Sequence, residues 1–416
     1  MSIPSSILES SRIVFDHLTR MMFKSVFIFL LLALCLHNTS STNTTTTPTP
    51  TRRPIKPKAT APKPVLKYNL QGKFKIVQFT DLHYGEGEDE NTQTYAIQEL
   101  IMEKENPDFC MFSGDMISGN SNNFDKNISL YYSMWDMFTE PCSKRGIPWA
   151  IVFGNHDGFG PWSTSRLMDL ELSYNLSLSQ RGPADIDGIS NFVLEIQGSN
   201  STQPSSLMYM FDSDTTNCQG EGWWGCIHEN QVAWYKNQSN HYKLPAISFV
   251  HIPPFEAIEL WNDHTIYGQF RDTGVCCYYT ADSGFVSSML EQKDIKGLYF
   301  GHDHGCDYHG DYFGIDIGYG RKTGYGSYNT ELLHGARLIQ LTESPYSIET
   351  WIRNVNGDIE DQPKHEPNRQ QALPLTCCTT LDNKNNRFWG IYLGCFSAIL
   401  FVAFVIQWSG VTKYIS

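Results

Sequence analysis

The sequence predicts a layered α/β domain, and three observations carry that prediction. Five short apolar runs, rich in β-branched and aromatic residues, recur through the middle of the chain. Each stops abruptly at a polar cluster. Segments between them repeat apolar residues at helical spacing. Short runs of this kind read as strands covered on both faces, and in layered α/β folds ligand sites form beyond the ends of such strands.

In chain order the runs are "FKIVQFT" before "DLH", "FCMFS" before "GDM", "WAIVF" before "GNHD", "AISFV" before "HIPP", and "GLYF" before "GHDH". After the first, "TQTYAIQELIMEKEN" sets Tyr95, Ile97, Leu100 and Ile101 at helical spacing, and Pro107 ends the pattern. After the third, "WSTSRLMDLELSYN" reads as a second helix capped by Ser163 or Thr164. Strand ends gathered this way deliver their polar residues to one place.

Each cluster offers ligand chemistry. Asp81 and His83 stand two apart, so in an extended segment they project to one side and can grip one cation. Asp115 follows Gly114, where the missing Cβ lets the backbone turn. Alone it reads equally as a turn, yet its two carboxylate oxygens can bridge ions about 3.5–4 Å apart. The amide oxygen of Asn155 can ligate, which leaves the neighbouring His156 pointing elsewhere, close to the ions but off them. His251 closes a strand and is followed by the stiff "IPP"; by itself it is equally a core histidine bonded to a carbonyl. His302 and His304 share a side in extended geometry, while Asp303 faces away. Only their company makes them read as ligands.

Composition limits the partners. At 41% apolar and 18% charged residues the chain is that of a folded protein, and a formal net charge of −13 argues against a nucleic-acid groove and a nucleic-acid partner. A phosphorylated substrate would need local positive charge, which metal ions supply.

Both ends carry apolar segments. "VFIFLLLALCL" (26–36), after Arg12, Arg20 and Lys24, reads as the core of a signal peptide over residues 1–40, with an uncleaved anchor as the alternative. Residues 41–69 read as a Thr/Pro-rich stalk, 70–355 as the main folded domain and 356–387 as a juxtamembrane linker. "FWGIYLGCFSAILFVAFVIQW" (388–408) has no charge and reads as a spanning helix meeting membrane lipid, before a short tail, 409–416; a glycolipid-anchor signal is the other reading. Lys384 and Arg387 before that segment, against Lys413 after it, oppose the orientation a cleaved signal would give. Sequons at Asn38, Asn43, Asn127, Asn175, Asn200 and Asn237 agree with a secretory, single-pass membrane protein whose main domain is extracellular or lumenal. Of 11 cysteines, Cys35 and Cys395 lie in the apolar segments, leaving an odd number and hence an unpaired thiol. Cys110 is the candidate for it. Cys218 and Cys226 read as a short-loop disulfide; Cys276, Cys277, Cys377 and Cys378 cannot be paired from sequence.

The ordered series D-x-H, G-D, G-N-H-D, a strand-terminal His and G-H-D-H resembles the calcineurin-like metallophosphoesterase family, from about Phe74 to Ile352. Within it, "DSGFVSSMLEQKDIKGLYFGHDHGCDYHG" and "GARLIQLTESPYSIETWIR" resemble the purple acid phosphatase 28/29-like group. The resemblance implies a central β-sandwich flanked by helices, with a dimetal site on strand-end loops. It implies that Asp81, His83 and His304 hold the first metal, that Asn155, His251 and His302 hold the second, and that Asp115 bridges them. Purple acid phosphatases proper place a tyrosine ligand three residues after the bridging aspartate; here that residue is Ser118. Without a phenolate on ferric iron the purple colour should be absent and the first metal divalent. Imidazole and carboxylate donors suit Fe, Zn or Mn without choosing among them.

The function implied is hydrolysis of phosphate esters, monoesters first, with diesters of nucleotides or lipid head groups as the alternative and an inactive membrane-anchored binding protein as the third reading. Two cations would lower the pKa of a bridging water, making hydroxide available for in-line attack. His156 would protonate the leaving alkoxide, while Asn155, His156 and His251 orient the phosphoryl group. Asp157 is either a partner of His156 or a cap. "GIDIGYGRKTGYGSYNT" either brings Arg321 or Lys322 to a phosphate or forms a surface turn. Trp223, Trp224 and Trp234 read as core or rim residues. His228, His241, His264, His309 and His334 have no spacing that ties them to the site.

Overall fold

A computed structural model of the chain describes residues 62–216, 218, 224–278 and 283–378. These fall in the unit Ile55–Ser416; the unit Met1–Pro54 lies outside them. So do the expected signal peptide, the stalk as far as residue 61, Trp223, the segment 388–408 and the tail. Among the described residues no helix is long and apolar enough to cross a membrane.

The five apolar runs form the strands Lys73–Phe79, Phe109–Ser113, Trp149–Val152, Ala246–Phe249 and Ile295–Phe300. They are divided between two sheets. The first three are parallel neighbours in a five-stranded sheet, extended by the antiparallel pair Gly335–Thr342 and Ser347–Asn354. The other two are parallel neighbours inside a nine-stranded sheet. That sheet runs from Leu66–Lys67 through Phe192–Gln197, Pro204–Met210, Ala246–Phe249, Ile295–Phe300, Ile315–Tyr319, His309–Tyr312 and Ile266–Tyr267 to Lys364–His365.

Strand alternation explains why each run is apolar throughout. Phe74 and Ile76 point into a core that also contains Met208, Ile247, Phe249 and Tyr299 from the larger sheet. Val77 and Phe79, one step out of phase, pack instead with Ile97, Ile101, Trp135 and Phe138 from the helices Glu88–Glu105 and Leu130–Ser143. On the far side Leu298 and Phe300 meet Tyr235, Ile258, Phe285 and Met289, from the helices Glu229–Tyr242, Glu256–Asp263 and Phe285–Gln292. The result is helices, sheet, sheet, helices, a sandwich flanked on both faces. The helix Glu88–Glu105 starts with three acidic residues against its positive end and stops at Asn106, in the left-handed region just before Pro107. Ser163 caps Thr164–Glu171 by accepting from the Arg166 N–H.

Order extends past 70–355 on both sides. Leu66–Lys67 pairs with Ile196–Gln197, and Lys364–His365 pairs with Ile266–Tyr267. Disulfides Cys276–Cys378 and Cys277–Cys377 tie the chain after the last strand back to the domain, so part of the segment expected as stalk and linker is folded onto it. Cys218–Cys226 is bonded as expected. Cys110, expected to be the unpaired thiol, is bonded to Cys142; the free cysteine among the described residues is Cys306, which is buried. The apolar setting of Cys110 suits a buried disulfide as well as a buried thiol, because Cys142 arrives on a helix packed against the same sheet face.

Candidate metal centre

Every site residue anticipated from the sequence lies in the first few positions after one of the five strands. The expected extended geometry of these loops does not hold. Asp81, His83, Asp115 and His302 have φ of 54°, 51°, 53° and 78°, four of the ten non-glycine residues with positive φ among the described residues. Left-handed backbone at such residues costs energy and persists only where surrounding contacts over-determine it. Here it turns each donor inward. Gly114, at φ 101°, is required twice over, because a Cβ there would also overlap the His251 ring.

The donors form two groups of three, Asp81 with His83 and His304, and Asp115 with His251 and His302, each with its ligand atoms within 4.8 Å of one another. His302 and His304 therefore serve different groups. In the first group the His304 Nδ1–H donates to the Tyr328 carbonyl at 2.8 Å. The Ser118 hydroxyl donates to Glu86 at 2.5 Å, so its oxygen accepts from His83 Nδ1–H at 3.0 Å. Both rings then carry their proton on Nδ1 and aim a bare Nε2 lone pair at the site. Those two Nε2 atoms are 3.1 Å apart. Burial and the Lys322 ammonium depress both rings, His83 well below the usual histidine range, so a proton does not fill the gap. A cation held by both nitrogens would.

The second group makes the same demand. His251 donates from Nδ1 to the Ser113 carbonyl at 2.9 Å, which turns its Nε2 toward Asp115 Oδ2 at 3.2 Å and Asn155 Oδ1 at 3.2 Å. Burial alone would lower this ring, but Asp115 and Asp81 override it and lift it to about 10: the position calls for positive charge. His302 beside it is pushed the other way, to about 3, by burial and by His251. Its Nε2 and the Asn155 Nδ2 are buried without a hydrogen-bond partner. Asp115 Oδ2 also lies 3.7 Å from His83 Nε2, so one oxygen sits between the groups. The donor set fits two metal ions.

Asp157 is not the partner of the His156 ring. It is fully buried and accepts from the backbone N–H of Asp115, Ile117 and Gly154 at 3.0, 3.0 and 2.8 Å, clamping the loop that carries Asp115 to the loop that carries Asn155. Burial and the Asp115 charge push its carboxyl up to about 8. His156 donates its backbone N–H to Asp115 Oδ1 at 2.7 Å, and its Nδ1 faces the Asn120 amide oxygen at 3.1 Å. Its ring stands 4.9 Å from that of His83, at the edge of the first group. Nothing in the polar string around Asn120 singles it out in sequence.

Arg321 and Lys322 reach no surface phosphate. Arg321 is paired with Asp307 and Glu360 inside the protein. Lys322 is buried, donates to Gly326 O at 2.7 Å and Asp81 O at 3.4 Å, and is brought down to about 8 by burial. Their segment is held in place because Ile315–Tyr319 pairs with Ile295–Phe300. Trp224 packs edge-on against His302, with ring centres 4.4 Å apart, and Trp234 packs on the core. Asp303 stands apart from both donor groups, accepting from the Cys276 N–H and the Tyr319 hydroxyl.

Residues 74–306, which contain every donor above and His156, match the profile of the calcineurin-like phosphoesterases. The chain belongs to the calcineurin-like phosphoesterase family. It is 31% identical over 345 residues to "Probable inactive purple acid phosphatase 28" of Arabidopsis thaliana, covering 70% of this chain and 83% of that protein. It is 27% identical over 270 residues to "Phosphatase DCR2" of Saccharomyces cerevisiae, covering 57% of this chain and 45% of that one. Among solved structures, a dimetal phosphatase from Danio rerio aligns with a TM-score of 0.48 at 12% identity, covering 71% of this chain and 99% of that one.

Proposed function

We propose that this chain is an active dimetal phosphoesterase that hydrolyses phosphate monoesters. One observation carries the reading: two buried imidazole Nε2 atoms face each other 3.1 Å apart on one side of Asp115, and a second buried group of three possible ligands stands on the other. When bound, two divalent ions supply charge for the phosphoryl oxygens and an activated water as nucleophile. Asp81, His83 and His304 would hold one ion, Asn155, His251 and His302 the other, with Asp115 shared between them. The unpartnered Asn155 Nδ2 is a donor free for a phosphoryl oxygen. His156, its Nδ1 engaged by Asn120, has Nε2 left to deliver a proton to the leaving oxygen. Trp224 shields the His302 edge from solvent.

The names of the Arabidopsis relatives include the word "inactive", which favours the competing reading of a scaffold that binds without turnover. Activity here is supported by the full donor set and the unligated imidazole beside it. Residence in the secretory pathway, with the catalytic domain on the extracellular or lumenal side of a single-pass anchor, is supported by four disulfides and by exposure of Asn127, Asn175, Asn200 and Asn237. Metal analysis of the purified protein, beside rates on paired mono- and diesters, tests the proposal. Two ions per chain and monoester turnover that a chelator abolishes are expected. Faster diester hydrolysis would reassign the substrate, and two bound ions without turnover on either ester would leave the binding scaffold.

A further inference from the structure

Resting on the dimetal reading, we propose that Glu86 is a positioning residue that holds both histidines of the first metal group. Those histidines come from different sheets, His83 after Lys73–Phe79 and His304 after Ile295–Phe300, yet their Nε2 atoms must meet one ion. Glu86 has one carboxylate oxygen for each. Oε1 accepts the Ser118 hydroxyl at 2.5 Å, and the Ser118 oxygen accepts the His83 Nδ1–H at 3.0 Å. Oε2 accepts the Ser327 N–H at 2.7 Å, and the next residue, Tyr328, grips His304: its carbonyl accepts Nδ1–H at 2.8 Å and its ring stacks on the imidazole with centres 4.0 Å apart.

Two further features fit a clamp. Ser327 has φ 61°, a left-handed conformation that a serine adopts only when its surroundings impose it, and its N–H points at Glu86. From the opposite side the buried Lys322 ties Gly326 O to Asp81 O, so the short stretch Gly326–Tyr328 is linked to the supports of all three donors of the first group. The second group is held by other parts: the Ser113 carbonyl under His251 and Asp157 behind Asp115. The effect of Glu86 is therefore confined to one ion. A negative charge hydrogen-bonded behind a ligating imidazole also raises the basicity of the ligand, and loss of such outer partners typically weakens metal binding roughly 10–100-fold.

The test is a titration of the metal-free full chain with Co2+, followed by visible absorption and by competition with a chelating indicator, with no turnover involved. His83→Ala and His302→Ala identify which of two bound equivalents belongs to each group. Glu86→Ala and Ser118→Ala should each weaken the equivalent that His83→Ala abolishes by roughly tenfold or more, and leave the other as in the wild type. Glu88→Ala, which removes the same charge two residues along, should leave both unchanged. Melting curves of the metal-free variants check folding; Ser118→Ala keeps the Glu86–Ser327 contact and tests the relay if Glu86→Ala does not fold. Wild-type affinity for both equivalents in Glu86→Ala, or weakening of the His302 equivalent, overturns the assignment to Glu86 alone. Fewer than two equivalents in the wild type overturns the dimetal reading together with it.

Discussion

Asp157→Ala should loosen the loops that carry Asp115 and Asn155, at a cost the structure allows to be worked out. The carboxylate satisfies three buried backbone N–H groups, those of Asp115, Ile117 and Gly154. Leaving a buried donor unsatisfied costs about 1 kcal/mol at the low end, so three give about 3 kcal/mol. This is an upper end, because burial and Asp115 disfavour the anion and push its carboxyl up to about 8. For a domain of this size it lowers Tm by at most about 6 °C. The asparagine variant refines the test. Oδ2 accepts both the Asp115 and Gly154 N–H groups, so an amide oxygen there keeps two bonds and sets an NH2 against Ile117 N–H. Asp157→Asn should therefore melt above Asp157→Ala and below the wild type. With metal present the gap between wild type and Asp157→Ala should widen, since mobile Asp115 and Asn155 bind ions less tightly and bound ions stabilise the fold by mass action. Circular-dichroism melts with and without metal measure all of this. An alanine variant melting within about 1 °C of the wild type in both states refutes the clamp.

Two other perturbations follow from the same geometry. His156→Ala should keep both ions while turnover of alkyl phosphates falls by roughly 10²–10⁴-fold; p-nitrophenyl phosphate, whose leaving group is stable as an anion, should lose less, and equal losses on both esters would remove the general-acid role. Glu171 supplies a pH test away from the metals. It is fully buried and accepts from the indole N–H groups of Trp135 and Trp149 and the hydroxyls of Ser177 and Ser179, yet burial outweighs these donors and its carboxyl is raised. The folded state therefore keeps a proton that the unfolded chain releases near about pH 4.3. Its contribution to stability is full below that value and is lost as pH rises through the folded pKa. Urea midpoints of the metal-free protein should fall with pH across this window, and Glu171→Gln should flatten the slope; an unchanged slope contradicts the assignment.

The chemistry of the site was legible in sequence because it is written in residue types at strand ends, where an apolar run stops and a donor begins. The same uniform runs hid the division into two sheets: a strand buried on both faces, such as Lys73–Phe79 or Ile295–Phe300, reads alike in either. Backbone turns at Asp81, His83 and His302 were misread as extended because nothing in a D-x-H or H-D-H string reports φ. What holds the donors was less visible still. Asp157 acts on backbone N–H groups, which carry no side-chain signature, and Glu86 acts on Ser327, 241 residues away along the chain. The adjacent cysteines Cys276 and Cys277 are bonded crosswise to Cys378 and Cys377, a choice among three pairings that spacing cannot make. A ligand is constrained by the ion to a few residue types, whereas a support needs only an acceptor or donor in the right place and can come from serine, a carbonyl or glutamate. That difference in chemical latitude is why Asp81, His83 and His304 could be named from their letters, while Ser118, Tyr328 and Glu86 behind them required coordinates.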